Sequence, residues 1–443
     1  MDNKTCIYSE RCWINGKLQP ATVCFADGVI TDILPVKTAE AIDAGSLVLM
    51  PGVIDAHVHV NEPGRTEWEG FETATMAAAA GGITTIVDMP LNASPVTTSV
   101  KAFREKLAAS ENKLHVNVGF YGGLVPGNTS ALGPMAEAGV LGIKCFLVHS
   151  GIDEFPEVKE KDIAEAMPVI AKYDLPLLAH CEVFEKEVQN DFEAHPTSYS
   201  HYLESRPGSW ETDAVSMLLK LCRTHLCPVH IVHVSAAEAL PLISAAKKEG
   251  LPVTAETCAH YIYFNAEGIP DANCLYKCAP PIRNRDNNMK LKSALQDGTL
   301  DFLATDHSPA PPAIKELQSG NLKKAWGGIA GLQFLLPVSW TALKGSMSLE
   351  KFIPLLTSQP AAFLQVYNRK GEIKVGYDAD LVIWDPEMEE KVIMDDVLFR
   401  HKVTPYIGES LFGSIRQTYV NGILVYNKKQ IIHKNSGKWL LRK

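Results

Sequence analysis

Eight short, continuously apolar runs recur along the middle of the chain, at residues 47–57, 82–89, 115–121, 142–148, 176–181, 229–234, 253–257 and 300–305. A strand with one face in water alternates apolar and polar positions, whereas a run that is apolar throughout is buried on both faces, as in a parallel sheet covered by helices. Helical patterns fall between most of the runs, at 68–80, 162–173, 211–222, 236–248 and 289–295, several with acidic residues in the first turn. Eight β/α units in succession predict an α/β fold, a TIM (β/α)8 barrel enlarged by insertions. An open doubly wound sheet is the competing architecture. Its dinucleotide-binding form lacks support, because no G-x-G-x-x-G follows an early strand.

The two chain ends read differently. Cys6-Ile7-Tyr8 and Ala21-Thr22-Val23-Cys24-Phe25 belong to alternating stretches punctuated by the hairpin signals Asn15-Gly16 and Asp27-Gly28. The pattern returns in Asp380-Leu381-Val382-Ile383-Trp384 and around the Asn421-Gly422 turn. A small β-sandwich formed from both ends, 1–50 and 375–443, is therefore expected beside a barrel over 51–374.

A formal charge of −9 with no basic run gives no electrostatic reason to bind nucleic acid or an anionic membrane. No stretch offers the roughly 18 consecutive apolar residues of a membrane span, and the N-terminus lacks a signal-peptide core. These features lead to an expectation of small-molecule chemistry in the cytoplasm. The ten cysteines are scattered, many inside apolar runs, and are read as reduced thiols; Cys274 and Cys278 have no second pair at zinc-finger spacing.

The first run ends in Asp55-Ala56-His57-Val58-His59. Residues two apart in a strand point the same way, so both imidazoles face one point. Alone, the pair fits a metal or a hydrogen-bonded strand end. Other ligand types recur at comparable places: Lys144 in Gly142-Ile143-Lys144-Cys145-Phe146, His180 in Leu178-Ala179-His180-Cys181, His233 in Val232-His233-Val234, and Asp306 in Ala304-Thr305-Asp306-His307. In a barrel the C-terminal strand ends converge on one mouth, where active sites are built. Four histidines and an aspartate there suit zinc or a similar divalent ion.

Lys144 is flanked by Ile143, Cys145 and Phe146, a costly place for an unpaired cation. Burial favours the neutral amine, which reacts with carbon dioxide to give a carbamate, an anionic oxygen ligand able to bridge two metals. A lysine that snorkels to the rim or pairs with a carboxylate is the other reading. The company of the other five residues favours the carbamate. His230 and His233 share one run at odd spacing, so opposite faces are expected, with His233 pointing into the barrel and His230 packed elsewhere. His260 and His307 are given supporting or loop roles.

Together these motifs resemble the amidohydrolase superfamily, in its cyclic-amidase branch of hydantoinases, dihydropyrimidinases, dihydroorotases and allantoinases. The resemblance spans nearly the whole chain, from Pro51-Gly52-Val53-Ile54-Asp55-Ala56-His57-Val58-His59 to Gly376-Tyr377-Asp378-Ala379-Asp380-Leu381-Val382. Asn61-Glu62-Pro63-Gly64-Arg65-Thr66-Glu67-Trp68-Glu69-Gly70, Pro280-Pro281-Ile282-Arg283 and Lys324-Ala325-Trp326-Gly327-Gly328-Ile329-Ala330-Gly331 look like the allantoinases of that branch. Dihydroorotases place a carboxylate-binding arginine where Asn61 stands, and hydantoinases usually place an oxyanion-stabilising tyrosine where His149 stands.

The resemblance implies that His57 and His59 bind one divalent ion, His180 and His233 a second, and carboxylated Lys144 bridges them. Zinc is the first expectation; cobalt, manganese or iron would accept the same ligands. Asp306 would complete the first shell and move protons, making Asp306 and Lys144 the residues of the chemistry. Asn61, His149, Cys278 and Ala279 are the implied substrate contacts. Allantoin, opened to allantoate in purine (ureide) breakdown, is the implied substrate, and a homotetramer the implied assembly. Hydantoinase or dihydropyrimidinase activity is the alternative, and a metal-free interaction scaffold of the same fold a remoter one.

Overall fold

The computed structural model describes residues 4–184 and 190–442. The eight apolar runs become eight parallel strands: Val53–Val58, Ile83–Asp88, Asn117–Phe120, Ile143–Phe146, Leu177–His180, Val229–Ile231, Val253–Cys258 and Phe302–Ala304. The first three pair in chain order, and so do the last five. The Leu141 amide donates to the Phe120 carbonyl at 2.9 Å where the two arcs meet, and the His59 amide to the His307 carbonyl at 2.9 Å where the ring closes. The predicted TIM barrel is the fold, and the eight strands deliver their C-terminal ends to one rim.

The run at 47–57 divides between two sheets. Val48–Pro51 pairs with Thr5–Ile14 and Leu381–Lys391, and the barrel strand begins at Val53. The chain crosses between them at Gly52, where a Cβ would lie 2.1 Å from Thr84 Oγ1, so only glycine lets the backbone pass. The helices follow the predicted ones closely, as Phe71–Ala80, Glu160–Lys172, Gly208–His225, Leu240–Glu249 and Arg285–Asp297. They cover the outer face of the barrel and bury the side of each strand that its apolar composition requires.

Strands from both chain ends form a nine-stranded sheet with a shared core that includes Ile7, Val23, Phe25, Leu49, Leu381, Ile383 and Tyr419. The three predicted hairpins have positive φ at both turn residues: Asn15 52° and Gly16 76°, Asp27 51° and Gly28 82°, Asn421 50° and Gly422 77°. That is the backbone a type I′ turn needs, and Asn-Gly or Asp-Gly supplies it cheaply. Two features differ from the sequence reading. Cys6 and Cys24 form a disulfide, because they face each other across the antiparallel pair of Thr5–Ile14 and Lys17–Ala26 with Cα atoms 4.0 Å apart. The other eight cysteines are free and buried. The last strand, Trp439–Leu440, leaves the terminal sheet and pairs with the third barrel strand.

A buried polar seam locks the two sheets together. Asp380 accepts from Asn117 of the third barrel strand at 3.0 Å and from the Asn421 amide at 2.8 Å, and it pairs with buried Lys370. Asn117 in turn accepts from the Asn421 side chain at 2.9 Å and from the Lys438 amide at 3.0 Å. Removing the acid leaves these buried donors short of a partner. Asp380→Ala should therefore cost about 3 kcal/mol, seen as a lower urea midpoint, whereas Asp27→Asn in the first-sheet turn should leave that midpoint nearly unchanged.

Candidate active site

His57, His59, Lys144, His180, His233 and Asp306 all line one cavity of about 470 Å³ at the C-terminal rim of the barrel. His57, Lys144 and His180 stand on strands, held by the ladder. His233 and Asp306 stand two residues beyond their strands with φ of 40° and 46°. This left-handed backbone costs an L residue energy, though His and Asp tolerate it better than most, and here it swings both side chains back over the rim.

Hydrogen bonds behind the rim decide which ring nitrogens face the cavity. His59 Nδ1 lies 2.8 Å from the Leu91 carbonyl, which can only accept, so in the neutral ring Nε2 carries the lone pair. His57 Nδ1 lies 2.5 Å from Glu256 Oε1, and burial holds this imidazole below its usual pKa, in the neutral form. The Nε2 atoms of both rings are 3.3 Å from Asp306 Oδ1. Two lone pairs and a carboxylate oxygen facing one another repel unless a cation stands among them. About 3.3 Å is also the edge of a tetrahedron whose ligands lie ~2.0–2.1 Å from its centre. His57, His233 and Asp306 place their ligand atoms within 4.8 Å of one another. The donor set fits a divalent metal ion.

The second half of the site is built in the same way. His180 Nε2 pairs with Glu182 Oε2 at 2.7 Å, which leaves Nδ1 for the cavity. Glu182 is fully buried. Burial raises its pKa, but Arg206 and His180 outweigh that and hold it down to about 2. The His180 ring stacks on Phe146 with centroids 4.7 Å apart and meets His233 at 4.7 Å. Burial, then His180 and Lys144, depress the His233 pKa strongly, and its Nδ1 has no hydrogen-bond partner. Burial works against the Asp306 carboxylate, but positive charge on or shared among the imidazoles of His57, His59 and His233 around it holds its pKa well below the usual carboxylate range. Lys144 is fully buried, and its amine has no hydrogen-bond partner among the described residues. Burial lowers its pKa to about 8 against the pull of Asp306 and Glu256.

Of the four implied substrate contacts, His149 and Ala279 border the cavity. Asn61 is buried behind it, with its amide near the Pro309 carbonyl at 3.3 Å and Asn92 at 3.5 Å; Asn92 itself borders the cavity. Cys278 is buried away from it, and its carbonyl accepts from Tyr202. His230 corrects the expectation of opposite faces. It sits in the barrel interior, bonded to Thr254 at 2.8 Å and 3.3 Å from Glu256, while His233 reaches the rim one layer higher. The strand ends at Ile231, so the period-2 rule stops before His233. His307 accepts the Gly331 amide at 3.1 Å, and His260 is buried outside the cavity lining. The sequence reading missed Glu256, Glu182 and Arg206. Glu256 carried the same signal as Lys144, a charge inside an apolar run; the others stand in loops beyond the strand ends.

The amidohydrolase family profile matches residues 48–425. The chain is 45% identical to an allantoinase of Arabidopsis thaliana, over 88% of this chain and 80% of that protein. It is 41% identical to an allantoinase of Saccharomyces cerevisiae over 97% and 96%. Among solved structures, an L-hydantoinase (dihydropyrimidinase) from Arthrobacter aurescens superposes with a TM-score of 0.93 at 30% identity, covering 100% of both chains. Among the described residues, no helix is long and apolar enough to cross a membrane.

Glu256 orients His57 without touching the cavity, so Glu256→Ala should weaken divalent-metal retention by roughly 10–100-fold while the fold survives. Equilibrium dialysis followed by metal analysis, with circular dichroism alongside, checks this.

Proposed function

The chain belongs to the amidohydrolase family, and we propose on that premise that it is an allantoinase, a hydrolase that opens the cyclic amide of allantoin to give allantoate. The observation that carries the chemistry is the Lys144 amine, fully buried and without a hydrogen-bond partner among the described residues, on the same cavity as four histidines and Asp306.

An amine with a pKa near 8 is partly neutral at physiological pH. Its nitrogen attacks carbon dioxide, an N–C bond forms as one C–O π bond opens, one proton leaves, and the product is a carbamate whose single negative charge is shared by two oxygens. We assign His57, His59 and Asp306 to one ion, His180 and His233 to a second, and carboxylated Lys144 to the bridge. With two divalent ions bound there, zinc or else cobalt, manganese or iron, the site would have a water ionised at neutral pH and a polarised ring carbonyl. Asp306, held as a carboxylate, accepts the proton of the attacking water and delivers it to the departing ring nitrogen. Phe146 packs against His180 and keeps bulk water from that side of the ring. His149, Asn92 and Ala279 border the space for the ureide, with Asn61 behind Asn92. A cytoplasmic homotetramer completes the proposal, read by light scattering on the eluted protein.

Hydantoin opening is the second reading, supported by the close superposition on the L-hydantoinase. Incubation of the metal-loaded protein with allantoin, hydantoin, dihydrouracil and dihydroorotate decides between them: allantoin should give the highest kcat/KM, and faster opening of hydantoin or dihydrouracil would reject the assignment. Lys144→Ala should lose both metal and turnover, and acetate or propionate should partly restore them by standing in for the carbamate. Full activity in Lys144→Ala would end the bridging role.

A further inference from the structure

Residues 323–328 form one wall of the catalytic cavity. Two lysines hold this wall by its backbone. Lys277, at the cavity edge, donates to the Ala325 carbonyl. Lys315, buried outside the cavity lining, donates to the Trp326 carbonyl at 3.1 Å and the Gly328 carbonyl at 2.6 Å. Neither lysine has a carboxylate partner among the described residues. The buried Lys315 ammonium, satisfied only by carbonyls, is costly to bury, and the half-buried Lys277 ammonium, which also lies 5.7 Å from the Tyr202 ring centroid, repels it across one short segment. Burial lowers both pKa values to about 8. The segment is tied further by Trp326 N–H to the Ile314 carbonyl at 2.7 Å and Gly328 N–H to the Lys277 carbonyl at 2.8 Å.

Peptide planarity then fixes how Gly327 faces. In a trans peptide the carbonyl and the following N–H point in opposite directions. Lys315 holds the Trp326 carbonyl, so the Gly327 N–H is turned away from Lys315. The Gly328 N–H is engaged by Lys277, so the Gly327 carbonyl is turned away from that bond. Gly327 thus carries a main-chain donor and acceptor with no partner among the described residues. It borders the cavity at a point where an added Cβ would meet nothing within 4 Å.

We propose that Lys315 and Lys277 are positioning residues for substrate: by pinning the carbonyls of Ala325, Trp326 and Gly328 they hold the Gly327 donor and acceptor toward the cavity. There these groups match the adjacent N–H and C=O of a cyclic ureide. The inference rests on the cyclic-amide reading of the site.

Lys315→Met and Lys277→Met are compared with wild type on whichever of allantoin, hydantoin or dihydrouracil the wild-type protein opens, so that failure of the allantoin reading shows in the wild type alone. A wall that binds ground state and transition state alike acts on KM, so Lys315→Met should raise KM about tenfold or more, with kcat within about threefold and bound metal unchanged. Hydrogen exchange of the peptide spanning 323–329 should quicken in the same variant. Lys277→Met should shift both readouts in the same direction, and it tests the proposal if Lys315→Met does not fold. An unchanged KM in a folded, metal-loaded variant, a loss confined to kcat, or unaltered exchange would overturn it.

Discussion

Glu256 and Glu182 bring negative charge into fully buried positions, and two of the four rim imidazoles, His57 and His180, take their orientation from them. Each acid is tied on its other side, Glu256 toward His230 and Glu182 to Arg206, so neither is free to rotate. With Nδ1 of His57 and Nε2 of His180 committed to these acids, only the opposite nitrogens are left to face the cavity. The chemistry at the rim follows from hydrogen bonds one layer behind it. Burial penalises the charged ring and so depresses the pKa of His57, His180 and His233, which keeps their cavity-facing nitrogens as lone-pair donors.

The barrel supplies rigidity to this arrangement, and the sheet of the two chain ends braces the barrel. Asp380, Asn117, Asn421 and Lys370 form a buried polar junction between them, and the chain returns to the third barrel strand at Trp439–Leu440. At the rim, His233 and Asp306 adopt left-handed backbone. Such positions persist only where surrounding packing overdetermines them. On the far wall, buried Lys315 and half-buried Lys277 donate to the backbone carbonyls of the segment at 325–328.

Much of this was written in the order of residues. Runs apolar at every position specify strands covered on both faces, and eight of them separated by helical patterns specify a barrel. His57, His59, Lys144, His180, His233 and Asp306 are legible because ligand-type residues inside or just beyond apolar strands are expensive without a purpose. The three Asn-Gly and Asp-Gly turns are legible because few other residue pairs accept positive φ twice in succession. The Cys6–Cys24 bond was not read from the same alternating strands, since spacing alone does not reveal which positions stand opposite each other.

Local sequence determined the strands, the turns and the residue types at the rim, because backbone propensity and burial act over a few neighbours. Only the tertiary structure decided which partners those residues meet. Glu256 lies 199 residues from His57 in the chain, and no periodicity connects them. His230 and His233 are told apart by where a strand stops, and Asn61 and Asn92 by which one the closed barrel leaves in contact with the cavity. Distances set by ring closure are properties of the whole chain, and they gather scattered side chains onto one cavity.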